Sequence, residues 1–411
     1  MLFTRRRSSC GWIACVACLF SACLLLLIND FFGKRWMTFV YFSENQDRAR
    51  LTYGHFTSCP DVLNRMVVGH WSNKNYTAQE LEEVESGVLR LRQFHKIPDS
   101  LQRNDSRCGN IGLEGLFVFR ALCNPKGPTS CCYNNVCANK TIQECQCPQC
   151  YDLRTKLHAE LADWIPDDPT CKILKFQTKK EVCNVLHNTT LYFVGDSFIR
   201  QLYISVLGLF DKNDTYKVFA KHTKKDMLDK CDKYYRYISE CRRYINTELM
   251  ECNNSTVLRC IERYRATTID SVLTEMRSLQ GKPNSWFIAG FGNHDGYNLT
   301  YLQEKLIDPL LTEAKRNEWP KLVWFEPHAP GLMKTPHIPH QLAPYRIPFN
   351  AKVKEIMEKH RIPNLRFYSL TEPVLSYDGS HYGKGVNDVK VQILLNFLLE
   401  QRTKLNSLKP V

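Results

Sequence analysis

Four short apolar runs between residues 191 and 370, each followed by small or polar residues, constrain the fold more than any other feature. Leu191-Tyr192-Phe193-Val194 ends at Gly195-Asp196-Ser197. Trp286-Phe287-Ile288-Ala289-Gly290 ends at Phe291-Gly292-Asn293-His294-Asp295, and Lys321-Leu322-Val323-Trp324-Phe325 ends at Glu326-Pro327-His328. Residues 365–370 form the fourth run. Apolar runs this short, bounded by turn residues, read as buried strands. A helix is expected over 198–210. A second, over 386–400, carries Val391, Leu394, Leu395 and Leu398 on or near one face. Strands alternating with helices predict an α/β fold, a parallel sheet between helices. Such sheets bind ligands outside the carboxyl ends of their strands. The polar clusters fall there, so one cleft is expected to gather them.

Ser197 stands at a sharp strand-to-helix turn, which exposes its hydroxyl at the sheet edge. The helix N-terminus behind it favours an oxyanion. Gly-Asp-Ser also fits ordinary turns and caps, so the tripeptide alone does not decide. A hydroxyl needs a base to become a nucleophile, and histidine suits that role near neutral pH. In Asp378-Gly379-Ser380-His381 the aspartate can turn back onto the imidazole Nδ1–H, fixing tautomer and orientation as in a Ser-His-Asp triad. Asn293 reads either as an oxyanion donor or as a turn former. Gly290 and Gly292 would allow close backbone approach. His294 either binds substrate or caps its loop. His328, His337 and His340 invite a metal reading, but they lie in a Pro-rich stretch, 327–348, that reads better as a mobile loop. No metal is expected.

Upstream, residues 10–28 are 19 consecutive uncharged residues, with Arg5-Arg6-Arg7 before them and Lys34-Arg35 after. That nearly spans a bilayer core, and no small-x-small cleavage site follows, so an uncleaved signal anchor is expected rather than a signal peptide. Sequons stand at Asn75, Asn104, Asn139, Asn188, Asn213, Asn253, Asn254 and Asn298, all beyond the anchor, which places the body in a lumen or outside the cell. Four of the 19 cysteines lie in the anchor. Cys108, Cys123, Cys131, Cys132, Cys137, Cys145, Cys147 and Cys150 form a dense block. Cys231, Cys241, Cys252 and Cys260 make a later set, and Cys171 with Cys183 a further pair. In an oxidising lumen these read as disulfides. A zinc site at Cys145, Cys147 and Cys150 is the alternative. The body's cysteines are odd in number, and Cys59, alone in the stem, is the candidate left over.

The expected organisation is a cytosolic tail (1–9), anchor (10–28), stem and small N-terminal subdomain (29–105) and Cys-rich module (106–188). A catalytic domain (189–411) follows, with a helical, disulfide-tied insertion at 211–283. A further amphipathic helix is expected over 81–94. The net charge of +13 is spread without long Lys/Arg runs, so nucleic acid is not an expected partner.

Two stretches carry a family resemblance. Tyr192-Phe193-Val194-Gly195-Asp196-Ser197-Phe198-Ile199-Arg200-Gln201 and Tyr377-Asp378-Gly379-Ser380-His381-Tyr382-Gly383 resemble the SGNH-type acyl-esterase superfamily. Within it the chain looks like the PC-esterase group. That group includes trichome-birefringence-like polysaccharide O-acetyltransferases, the sialate O-acetyltransferase and the neurexophilin/PC-esterase proteins. The resemblance covers about residues 190–400. It implies an SGNH-like parallel sheet, with Ser197 as nucleophile, His381 as base, Asp378 as its orienter and Asn293 in the oxyanion hole with the Ser197 N–H. The superfamily's separate glycine is not identifiable; Gly195 and Gly208 are the candidates. Arg200 matches the family arginine, either positioning the acyl donor or an acidic substrate group, or bracing the turn.

The resulting expectation is a lumenal, single-pass type II membrane enzyme of the Golgi or secretory pathway. It would transfer O-acetyl groups to or from a glycan, with no bound cofactor and with acetyl-CoA as a possible donor if it is a transferase. Two other classes share parts of this plan. One is a non-catalytic glycoprotein using the scaffold for binding. The other is a Golgi glycosyl- or sulfotransferase, against which stand the missing Asp-x-Asp and P-loop motifs.

Overall fold

The computed structural model describes residues 59–210, 218–231 and 237–407. The expected anchor, the first part of the stem and Asn213 lie outside the described residues. Among the described residues no helix is long and apolar enough to cross a membrane.

After a single helical turn at Val62–Arg65 come β1 (Gly69–Asn73) and α1 (Ala78–Phe94). Two small hairpins follow: β2 (Gly112–Leu113) with β3 (Leu116–Arg120), and β4 (Cys131–Tyr133) with β5 (Val136–Ala138). Strand β6 (Ala162–Pro166) then pairs antiparallel with β1. Helix α2 (Lys179–Leu186) leads to β7 (Thr190–Gly195) and α3 (Ser197–Phe210). After them come β8 (Glu248–Glu251), β9 (Thr256–Glu262), α4 (Ile269–Arg277) and β10 (Ser285–Gly290). The chain closes with α5 (Asp308–Ala314), β11 (Lys321–Phe325), α6 (Ala343–Lys359), β12 (Asn364–Leu365) and α7 (Lys384–Ser407).

The core is a six-stranded sheet in the order β12-β11-β10-β7-β9-β8, parallel except for β8 at its edge. Every residue of β7 and β10 is buried, which is why these strands read as continuous apolar runs. On one face Tyr192, Val194, Phe287, Ala289 and Trp324 pack with Val272 and Met276 of α4, Leu310 of α5 and Phe349 and Val353 of α6. On the other, α3 is buried almost all round and packs against α7, and Phe193 meets Tyr203 at 5.4 Å between ring centroids. Phe193 is fully buried, so removing its ring would cost about 3–5 kcal/mol.

The insertion differs from expectation. Residues 248–262 are not helical: they supply β8 and β9, and β9 lies directly beside β7. Arg259, Cys260 and Glu262 interrupt the apolar pattern of β9, which hid it. The fourth expected strand, 365–370, shrinks to β12, because the chain turns into a short helix at Tyr368–Thr371. Helix α1 starts three residues earlier than expected, on a reciprocal cap in which Thr77 accepts from the Glu80 N–H and Glu80 accepts from the Thr77 N–H. Residues from Cys59 onward belong to one compact unit with the sheet.

Seven disulfides cross-link this unit: Cys59–Cys171, Cys108–Cys132, Cys123–Cys137, Cys131–Cys145, Cys147–Cys150, Cys183–Cys252 and Cys231–Cys241. Two expectations are corrected. Cys171 does not pair with Cys183: Cys171 precedes α2 and bonds Cys59, whereas Cys183 lies within α2 and bonds Cys252. Among the described residues the unpaired thiol is Cys260, not Cys59. It sits mid-strand in β9, and burial pushes its thiol up to about 12. All eight cysteines of the dense block are paired, which leaves the zinc alternative without a free thiolate. The described sequon asparagines, Asn75, Asn104, Asn139, Asn188, Asn253, Asn254 and Asn298, are all exposed.

Candidate active site

Strand β7 passes directly into α3 at Gly195-Asp196-Ser197. Gly195 has φ 152°, and a Cβ there would lie 2.0 Å from the Gly290 carbonyl oxygen of β10. Only glycine lets the two strands close at this point. Asp196 is buried and caps α3, its Oδ1 accepting from the Phe198 N–H at 2.9 Å. Burial pushes its carboxyl up to about 6, against the opposing pull of that N–H, His381, Arg346 and Arg200. Ser197 is thereby fixed as the first helical residue.

The second half of the site is the turn before α7. Gly379 adopts φ 81°, where a Cβ would lie 2.3 Å from the Lys334 N. This turn lets Asp378 fold back: its Oδ1 accepts from the Ser380 and His381 N–H groups at 2.8 and 2.7 Å, and its Oδ2 faces His381 Nδ1 at 2.7 Å. His381 Nε2 stands 2.7 Å from Ser197 Oγ across 184 residues of sequence. Burial alone would raise the Asp378 carboxyl. The His381 charge and hydrogen bond, His95 and the Ser380 N–H together outweigh it and hold the group well below the usual carboxylate range. A carboxylate on Nδ1 leaves Nε2 as the acceptor toward the serine hydroxyl.

Asn293 follows β10 and is buried. Its Oδ1 accepts from Tyr297 Oη at 3.2 Å and from an Arg346 Nη2 at 3.3 Å. Two donors on that atom identify it as the oxygen and leave Nδ2 as the amide's free end. Gly208 lies eleven residues into α3, about 16 Å along the axis from Ser197. It cannot reach an acyl group there, which corrects its place in the oxyanion hole. Gly195 instead serves the close approach of β7 and β10. Arg200 is engaged by Glu262 at the end of β9, a carboxylate that also binds Tyr264 Oη and Arg242, the latter at 2.7 Å. Its guanidinium is thus ion-paired rather than free. His294 is exposed and meets Tyr264 edge-on at 4.9 Å.

Several site neighbours carried no sequence signal. His95, at the C-terminal end of α1, places Nε2 3.9 Å from Asp378 Oδ2. Lys334 donates to Ser380 Oγ at 2.7 Å, and burial pushes its ammonium down to about 8. His328 is fully buried, not part of a mobile loop. Its ring lies 3.9 Å from that of Phe198. His328 Nε2 faces the Ser380 carbonyl at 2.8 Å, so it carries the proton and Nδ1 accepts from Lys390 at 3.1 Å. Burial and the Lys390 charge keep this imidazole well below its ordinary pKa. Among the described residues His328, His337 and His340 do not converge on a common ion position.

Serine, imidazole and carboxylate in this order can generate a nucleophile, and the α3 N-terminus can receive negative charge beside it. No family model matches the chain, and neither a curated protein nor a solved structure does.

Proposed function

We propose that the protein is a serine-dependent acyl-transfer enzyme whose substrate is an O-acetylated glycan or a glycan hydroxyl awaiting acetylation. The observation that carries this reading is the hydrogen-bonded series Ser197 Oγ, His381 Nε2, His381 Nδ1, Asp378 Oδ2, with 2.7 Å at each of its two contacts. The sheet order, with the nucleophile after a central strand, also agrees with the SGNH-like fold implied by the resemblance.

In the proposed reaction Ser197 Oγ bonds to the acyl carbon while its proton passes to His381 Nε2. The carbonyl π electrons move to oxygen, and the oxyanion takes hydrogen bonds from the Ser197 N–H and Asn293 Nδ2. Asp378 stabilises the imidazolium. Collapse expels the donor's alcohol or thiol, which takes the proton from His381, and leaves acyl-Ser197. Water or a sugar hydroxyl, deprotonated by His381, then attacks the acyl carbon and frees Ser197. Water gives esterase activity; a sugar hydroxyl gives O-acetyl transfer, with acetyl-CoA or another acetyl ester as donor. The disulfides and exposed sequons support a lumenal body, held by the anchor expected at 10–28 in type II orientation.

Acetyl release and acetyl transfer, measured on wild type and on Ser197→Ala, test the reading, together with labelling by a fluorophosphonate probe. Loss of both activities and of labelling in the variant is expected. Full activity in Ser197→Ala refutes the mechanism, and a folded wild type that never labels favours the non-catalytic binding protein.

A further inference from the structure

Arg346 lies in the first turn of α6 and is fully buried. Among the described residues it makes no ion pair. Its hydrogen bonds go to neutral oxygens: the His328 carbonyl, the Gln341 carbonyl at 3.0 Å and Asn293 Oδ1 at 3.3 Å. Its Nε is buried without a partner. The guanidinium stands over the rings of Tyr297 at 5.0 Å and Phe198 at 5.8 Å, and Phe198 is the residue after the nucleophile. Burying a cation without a contacting counter-ion is expensive, and folds seldom retain one that has no use.

No carboxylate among the described residues contacts it in the resting site, where Asp196 acts on it through space only, and a further negative charge arises during acyl transfer. We propose that Arg346 is a positioning residue of the oxyanion hole: it fixes Asn293 by Oδ1 and polarises the amide, so that Nδ2 donates strongly to the oxyanion formed when Ser197 attacks. This rests on the acyl-transfer reading above. A cation drawing electron density toward Oδ1 makes the Nδ2 protons more positive. That gain is small against a neutral carbonyl and large against an oxyanion, so it acts on kcat rather than KM. The Gln341 side chain, which donates to the Asn293 carbonyl at 2.8 Å, holds the same loop from the other side.

The test compares Arg346→Met and Arg346→Lys, with Ser197→Ala as the control that the assay reports the serine mechanism. Arg346→Met is expected to lose roughly 10–100-fold in kcat with KM within about twofold, and Arg346→Lys to recover part of the loss. A folded Arg346→Met with kcat within twofold of wild type, or with its loss confined to KM, overturns the proposal while Ser197→Ala still upholds the reaction. Should Arg346→Met fail to fold, Arg346→Lys is measured in wild-type and Asn293→Ala backgrounds. A several-fold cost in the first and none in the second supports action through Asn293. Equal cost in both, or none in either, overturns it.

Discussion

Replacing Asp378 with asparagine separates the two jobs of its carboxylate. Oδ1 accepts two backbone N–H groups, from Ser380 and His381, and a carboxamide nitrogen in that position would face two donors. Asparagine is therefore held with its oxygen on those amides and its Nδ2 facing His381 Nδ1. An N–H donor there forces Nδ1 to accept, which moves the imidazole proton to Nε2 and aims it at Ser197 Oγ. The turn survives and the base is lost. An inverted tautomer in a serine triad lowers kcat by about 10⁴, or roughly 5.5 kcal/mol of transition-state stabilisation. KM should move little, because Asp378 lies behind the imidazole. The assay is steady-state acetyl release, with circular dichroism to confirm the fold. A variant keeping more than about a tenth of wild-type kcat, while Ser197→Ala is inactive, would refute the argument that Asp378 sets the tautomer.

Three further outcomes follow from the packing. Gly195→Ala forces a Cβ to within 2.0 Å of the Gly290 carbonyl oxygen, so a loss of about 3 kcal/mol or more in urea unfolding is expected; a near-neutral effect would mean that β7 and β10 do not close there. Cys59→Ser/Cys171→Ser opens a bridge of sequence separation 112, which the loop-entropy relation values at about 5 kcal/mol. Unchanged stability, or a peptide map lacking this bridge in wild type, would count against it. Lys390 is fully buried, and burial pushes its ammonium down to about 7. The unfolded chain then holds a proton that the folded chain releases between pH 7 and about 10, so this group makes stability rise with pH across that window. Between pH 7 and 9 wild type should gain about 2–3 kcal/mol more than Lys390→Met; parallel curves for the two proteins would refute the assignment.

The parts of this protein legible in its sequence are those governed by neighbours along the chain. A fully buried strand must be apolar, so β7, β10 and β11 showed themselves, and a tight turn between strand and helix needs residues such as Gly195 and Asp196. The turn at Asp378-Gly379-Ser380-His381 is equally local, since an aspartate three residues before a histidine can fold onto it without help from elsewhere. Tertiary structure decided what depends on distant partners. Strand β9, with Arg259, Cys260 and Glu262 in it, is a strand because β7 and β8 flank it, and periodicity carried no trace of that. Fifteen cysteines beyond the anchor allow many pairings, and only the approach of chain segments in space left Cys260 single and joined Cys59 to Cys171. His95, Arg346 and Lys390 look like ordinary polar residues on helices. Their placement beside Asp378, Asn293 and His328 follows from how α1, α6 and α7 pack, because burial and electrostatic contact are properties of the assembled core and not of any short stretch of chain.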